Sequence, residues 1–327
     1  MTRWPVTRQP LTRWPVTRSL ATRSPRWTAA DIPDQTGRVF VVTGANAGIG
    51  LATTAALTAR GARVVMACRN LEKAEAARAG LSPDQQELAH IRHLDLADLD
   101  SVAEFAAGFG GGGDEGDDGH VDVLINNAGL MNIPHARTAQ GHEMQFGVNV
   151  LAHHALTAAL RPALTNRVVW LGSLAHLAGR VELDDLNMEL RGYRPMAAYA
   201  NSKLACIMLA YEWQRRFERE GSRLRSVAAH PGYTATELIR QSGNPRADRF
   251  FALGNSLTWA GLTPEMGALS VLYAATMPDL PGASFVGPDR LGGLRGHPSL
   301  TRSSGVSYDR KTASELWQRC TEMASFR

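Results

Sequence analysis

RVFVVTGANAGIG, residues 38–50, decides how the rest of the chain is read. Its first half, Arg38 to Gly44, is a short apolar run rich in β-branched residues, the pattern of a strand buried on both faces in a parallel sheet. The second half is a glycine-spaced turn that opens an Ala- and Leu-rich stretch, predicted helical over 48–60. Strand, glycine turn and helix in that order present a helix N-terminus, with its unpaired N–H groups and positive dipole end, to a phosphate. Gly44, Gly48 and Gly50 allow a tight turn, close approach of backbone to a pyrophosphate, and packing of the helix on the sheet. A glycine-rich turn alone is weak evidence, but its place between strand and helix strengthens it. The spacing is wider than the common dinucleotide fingerprint.

Outward from this unit the alternation continues. Strands are predicted at 62–68, 88–96, 121–129, 166–173, 224–232 and 283–288, with helices at 71–79, 99–109, 142–160, 196–220, 264–277 and 311–324. Right-handed βαβ units at this spacing predict an α/β fold: one Rossmann-like, doubly wound parallel sheet of about seven strands, covered by helices on both faces. Ligands of such sheets bind beyond the strand C-termini.

Composition sets the outer limits. The 327 residues are 44% hydrophobic and 20% charged, ordinary for a globular chain and incompatible with wholesale disorder or a disulfide scaffold. Six of the 35 basic residues lie in residues 1–30, which hold no acid, so the remainder carries 29 against 31 acidic residues. The basic excess thus belongs to the N-terminal stretch, where TRWPVTR occurs at 2–8 and again at 12–18. Residues 1–33 are predicted to be a disordered basic extension, or upstream sequence translated from a misassigned start, and 34–327 to be one catalytic domain. A body without clustered positive charge predicts no nucleic-acid partner. No apolar run approaches the roughly 18 residues of a membrane span, so no membrane anchor is expected. Three scattered cysteines suit free thiols in a reducing cytoplasm. GGGGDEGDDG at 110–119 is predicted to be a flexible surface loop. HExxH, CxxC and GxSxG patterns do not occur in the sequence, so nothing here spells a zinc site or a nucleophile elbow.

The chemistry-bearing residues fall at the ends of successive strands. Tyr199 and Lys203 are four apart on a predicted helix and share a face. An ammonium beside a phenol favours the phenolate and makes a proton donor for a carbonyl or a base for an alcohol; the alternative is a buried Tyr and a surface Lys on an amphipathic helix. Ser173 ends the fifth strand, where its hydroxyl can polarise a substrate oxygen. Asn149 sits inside a predicted helix, a poor place for an amide unless it bonds something specific. NNAG (126–129) ends the fourth strand, with Gly129 leaving room for a ligand, and HPGYTATE (230–237) ends the sixth. At the end of strand two, Ala67-Cys68-Arg69 offers a guanidinium and no carboxylate, which favours a ribose 2′-phosphate and hence NADP over NAD; Arg69 as a solvated loop residue is the other reading. Asp95 lies where adenine is expected, or caps a helix together with Asp98.

As a set, TGANAGIG, NNAG, Asn149, Ser173, YANSK (199–203) and HPG resemble the motifs of the short-chain dehydrogenase/reductase family, in order, over about residues 37–300. LAHLAGRVELDDLNMELRGYRP between Ser173 and Tyr199, with ACRN (67–70) and LRGHP (294–298), is similar to its retinol-dehydrogenase-like and protochlorophyllide-reductase-like branch. The resemblance implies a catalytic set of Asn149, Ser173, Tyr199 and Lys203. It implies cofactor contacts from Gly44, Asn46, Gly48, Ile49 and Gly50, from Arg69, Asp95 and Leu96, from Asn127, Ala128 and Gly129, from Tyr199 and Lys203, and from Pro231, Gly232 and Thr234. Ala47 departs from the branch, which usually has Ser there, and Gly172 stands where Ser is frequent. The implied activity is NADP(H)-dependent interconversion of a carbonyl and an alcohol on a small, lipophilic substrate. Two other uses of the same fold stay open at this level: a cofactor-sensing regulator without turnover, and an isomerase or epimerase. The apolar segment 234–262 is expected to serve as a substrate lid or as an ordinary helix pair. The long helix 196–220 could pair with a copy of itself in a homo-oligomer.

Overall fold

Every side chain of β1 (Val39–Thr43) is buried because the pleat sends alternate residues into two separate cores. Val39 and Val41 join the apolar cluster on one face, Phe40 and Val42 the cluster on the other. That is why the run reads as continuous rather than alternating hydrophobicity. The computed structural model describes residues 26–109, 119–233 and 262–325. After β1 come α1 (Gly48–Thr58), β2 (Arg63–Cys68), α2 (Leu71–Ala79), α3 (Pro83–Leu88), β3 (Ala89–His93), α4 (Leu99–Ala107) and β4 (Val121–Asn126). A short α5 (Met144–Phe146) passes through a π-helical segment, Gly147–Leu151, into α6 (Ala152–Leu160). Then follow β5 (Leu164–Leu171), α7 (Pro195–Arg219), β6 (Arg225–Ala229), α8 (Pro264–Thr276), β7 (Phe285–Arg290), β8 (Arg295–Leu300) and α9 (Arg310–Met323).

The strands form one sheet in the order β3-β2-β1-β4-β5-β6-β7-β8. β1 to β7 pair in parallel. The order turns back between β1 and β4, and this reversal opens the crevice in which doubly wound sheets bind ligands. One face of the sheet is covered by α4, α6, α7 and α9, the other by α1 and α8. This is the expected Rossmann-like architecture with one addition. The sheet has an eighth strand, β8, antiparallel to β7. An antiparallel partner needs only the short turn through 291–294, not a crossover helix. RGHPSL carries Gly296 and Pro298 and no apolar alternation, so its sequence gives no strand signal, and Pro is tolerated because the strand lies at the sheet edge.

Smaller differences have local causes. The helix α3 was not anticipated, although Ser82 and Gln85 mark its start, with the Ser82 N–H donating to Gln85 Oε1 at 3.0 Å. β4 stops at Asn126 and β6 at Ala229, so the NAG and HPG triplets are turns beyond strands. At the N-terminal side, Trp27 stands edge-on to Tyr273 at 5.3 Å and Ile32 is buried against the α1/α8 layer. The fold therefore takes in residues before the expected boundary at 33. The repeat at 2–18, residues 110–118 of the glycine-acid loop, Thr234, and 234–261 of the expected lid lie outside the described residues. α7 is buried along most of its length, and α9 packs on it: Arg216 lies 3.4 Å over the Trp317 ring, and Trp213 meets Trp317 edge-on.

Candidate active site

The glycine turn is shaped by contacts that leave no room for side chains. Gly44 has φ +66°, and a Cβ there would stand 3.0 Å from the Ala128 Cβ; a Cβ on Gly50 would run into the Gly44 carbonyl oxygen. Ala47 caps α1 with no side-chain hydrogen bond, and the first turn holds no acid. The amides of Gly48, Ile49 and Gly50 thus open the helix without a side-chain cap, which leaves the positive end of the dipole available to an anion. A crowded glycine cradle at an uncapped helix start fits a dinucleotide pyrophosphate.

Thr43 ties this turn to the neighbouring one. Its buried hydroxyl accepts the backbone N–H of Asn127 and of Ala128, both at 2.9 Å, while Asn127 Nδ2 donates to the Thr43 carbonyl at 2.8 Å. His153 Nε2 lies 2.9 Å from the same hydroxyl, and its Nδ1 lies 3.0 Å from the Asn149 carbonyl. A carbonyl only accepts, so Nδ1 carries the proton and Nε2 accepts from Thr43. Burial pushes the His153 pKa down to about 4, reinforced by the nearby Lys203 charge, so the ring is neutral and both nitrogens are used. Neither Thr43 nor His153 is among the site residues expected from the sequence; for Thr43 the available signal is a lone hydroxyl closing an all-apolar run.

At the ribose end, Cys68 is buried, its thiol pKa pushed up to about 11 by desolvation, while Arg69 is exposed at the end of β2. Asn70 caps α2, accepting the Lys73 N–H at 2.8 Å. Asp95 lies two residues past β3. Its Oδ1 accepts the Ala97 N–H at 2.9 Å, and Asp98 caps α4; Leu96 is buried in the core. Asp95 thus closes a local turn ahead of the helix and leaves the capping to Asp98.

Two of the expected catalytic residues meet at the NAG turn, Lys203 from α7 and Asn149 from the π-helical segment. Lys203 is 4% exposed and sits beside Tyr199, its Nζ 5.8 Å from the ring centroid. Nζ donates to the Leu171 carbonyl at the end of β5, 2.9 Å away. Among the described residues it has no carboxylate partner in any ion pair. Asn149 occupies the π-helical segment, the kind of helical irregularity that accompanies functional positions. Its Oδ1 accepts the Leu130 N–H at 2.7 Å, and its Nδ2 donates to the Leu130 carbonyl at 3.0 Å and to Ser202 Oγ at 2.9 Å. Ser202 Oγ in turn donates to the Tyr199 carbonyl at 2.8 Å. Asn149 therefore clips the turn after β4 to the helix that bears Tyr199. A Cβ on Gly129 would stand 3.2 Å from Asn149 Oδ1 and 3.3 Å from Lys203 Nζ, so the glycine lets turn, amide and ammonium meet.

Ser173 lies just past β5 and caps the 3-10 turn Leu174–Ala178, its Oγ accepting the Ala175 N–H at 3.2 Å. Glycines brace that turn on α7 at both ends. A Cβ on Gly172 would stand 3.1 Å from Ile207 Cδ1, and one on Gly179 would strike the Ala200 carbonyl. The HPG turn faces the same edge: Gly232 has φ +78°, its N–H donates to His230 Nδ1 at 3.3 Å, and a Cβ there would strike the Leu294 carbonyl at 2.6 Å.

A switch-point glycine cradle with a Tyr–Lys helix laid against it is the layout of a nicotinamide-dependent alcohol/carbonyl oxidoreductase. The chain belongs to the short chain dehydrogenase family, whose profile matches residues 38–247, and to its retinol-dehydrogenase-like branch. It is 40% identical to human (Homo sapiens) Retinol dehydrogenase 13 over 254 residues, 76% of this chain and 75% of that one. It is likewise 40% identical to the Polyprenol dehydrogenase of Mus musculus over 266 residues, 77% and 75% of the two chains. Among solved structures, that of an uncharacterized protein from Mycobacterium Paratuberculosis matches with 41% identity and a TM-score of 0.77, covering 92% of this chain and 98% of that one. Among the described residues, no helix is long and apolar enough to cross a membrane.

Proposed function

We propose that the protein interconverts the carbonyl and alcohol of a lipophilic small molecule with NADP(H), using Tyr199 as the proton-transferring residue. The observation that carries this reading is the buried Lys203 ammonium beside the Tyr199 ring, held by a backbone carbonyl and without a carboxylate partner among the described residues. Its charge is directed at the phenol and the crevice. The Gly44–Gly50 turn and the uncapped start of α1 would hold a nicotinamide dinucleotide, which would supply or accept the hydride. Ser173 and Tyr199 hydroxyls hold the substrate oxygen; in reduction, Tyr199 gives its proton to that oxygen as the carbon becomes saturated. Lys203 steadies the phenolate left behind, and Asn149 fixes the turn after β4 to the helix that bears Tyr199.

NADP is preferred here because the β2 end offers Arg69 and no carboxylate, a donor set suited to a 2′-phosphate. The names of the relatives, retinol and polyprenol dehydrogenases, support a long apolar alcohol or aldehyde as substrate class. The three cysteines are buried and unpaired, which supports a reducing compartment such as the cytoplasm.

The test is a panel of retinal, decanal, a short polyprenal and a polar ketone, each with NADPH and with NADH, followed by nicotinamide absorbance. Turnover is expected with apolar aldehydes and NADPH, and loss of at least about 100-fold in Tyr199→Phe with NADPH affinity retained. A Tyr199→Phe enzyme of normal rate would overturn the mechanism, and a preference for NADH would overturn the cofactor assignment.

A further inference from the structure

Ser173 is held from behind by a histidine. His176 is 1% exposed, three residues on in the same turn. Its ring Nδ1 lies 2.6 Å from the Ser173 carbonyl, which also accepts the His176 backbone N–H at 3.1 Å. On the other side of the ring, Nε2 accepts the backbone N–H of Ser304 at 3.0 Å. Donor at Nδ1 and bare acceptor at Nε2 are the two nitrogens of one neutral tautomer, and burial lowers the pKa of the ring. The ring is edge-on to Phe285 at 5.5 Å, and Phe285 stacks on His230 of the HPG turn at 5.1 Å.

Ser304 is itself fixed. Ser307 Oγ donates to its carbonyl at 2.6 Å and meets Ser303 Oγ at 2.6 Å. Ser303 Oγ meets the hydroxyl of Tyr211 at 2.7 Å. Tyr211 is on α7, the helix of Tyr199 and Lys203. A series of hydrogen bonds, continued through the Ser304 backbone, thus runs from α7 through 303–307 to the ring and so to the Ser173 carbonyl. It is separate from the Lys203 bond to Leu171, and its far end, 303–307, lies beyond the residues the family profile matches.

We propose that His176 is a positioning residue that fixes Ser173 relative to Tyr199 by clamping the Ser173 carbonyl to the segment at Ser304. The proposal deepens the oxidoreductase reading and rests on it. Two variants divide the clamp. In His176→Asn the amide nitrogen takes the place of Nδ1 and keeps the bond to Ser173 but cannot reach Ser304. His176→Gln reaches Ser304 and loses the donor to Ser173.

With NADPH and decanal, His176→Gln is expected to lower kcat about tenfold, the worth of one well-placed hydrogen bond, at unchanged KM and NADPH affinity. His176→Asn is expected to lose less. In a Ser173→Ala background, where there is no hydroxyl left to position, both changes should alter kcat by less than about twofold. A His176→Gln enzyme within about twofold of the parent, or a loss undiminished in the Ser173→Ala background, would overturn the proposal. Nitrogen-15 NMR of the intact protein adds a readout free of turnover: the His176 ring should be protonated at Nδ1 only, and an Nε2–H tautomer would overturn the clamp by itself. If the parent fails to oxidise NADPH with every aldehyde of the panel, the oxidoreductase reading fails and the tautomer still decides the clamp.

Discussion

Replacing Thr43 with Val keeps the shape of a fully buried residue and deletes one hydroxyl. The cost can be worked from the contacts that hydroxyl makes. Ala128 N–H loses its acceptor, and His153 Nε2 loses its donor. Asn127 N–H is less affected, because it also reaches the Ile125 carbonyl at 2.9 Å. Each orphaned group costs about 1–3 kcal/mol, so the loss of both should destabilise the protein by about 2–6 kcal/mol. Thr43→Ser keeps the hydroxyl and loses one methyl, at about 1 kcal/mol. The expected stability order is therefore Thr, then Ser, then Val, with the most hydrophobic of the three the least stable. Urea unfolding followed by far-UV circular dichroism measures it as a fall in midpoint at constant slope. NADPH affinity should weaken in the same order, because the same hydroxyl pins the NAG turn. A Val variant as stable as the parent, or more stable than Ser, would refute the reasoning that this hydroxyl joins the two turns.

Three further outcomes are expected. Gly50→Ala drives a Cβ into the Gly44 carbonyl and to 2.7 Å from Asn127 Nδ2; overpacking of about 1–3 kcal/mol should weaken NADPH binding by about tenfold or more, as read by nicotinamide fluorescence, and unchanged affinity would show that the cradle is not the binding turn. Burial holds His153 and His230 down to about 4 and His154 to about 3, whereas unfolded imidazoles titrate near ~6.5. The unfolded chain thus takes up protons first, and stability should fall as pH drops from about 6.5 toward 4, by up to about 1.4 kcal/mol per pH unit for each ring; flat unfolding midpoints across that range would contradict it. Burial also raises the thiol pKa values of Cys68, Cys206 and Cys320, so a thiol reagent should label none of them in the native protein and all three after denaturation, scored by mass spectrometry.

The residues themselves determined the sheet and its helices because β1, β2, β4, β5 and β6 are largely apolar runs whose neighbours pack on both faces, and such runs are visible locally. Spacing did the same for Tyr199 and Lys203, since residues four apart on a helix meet whatever lies around them. Glycine positions foretold the tight cradle, because a positive φ or a close approach excludes other residues. What sequence could not decide were contacts between residues far apart in the chain. Asn149 reads locally as an odd amide in a helix; only the folded chain brings it to Leu130 and Ser202. Thr43 meets His153 across 110 residues, and His176 meets Ser304 across 128. The edge strand β8 has no signature of its own and exists because β7 presents an unpaired edge to it. Local patterns specify which elements form. Which buried donor finds which acceptor is a property of their packing, and that is where the site acquires its geometry.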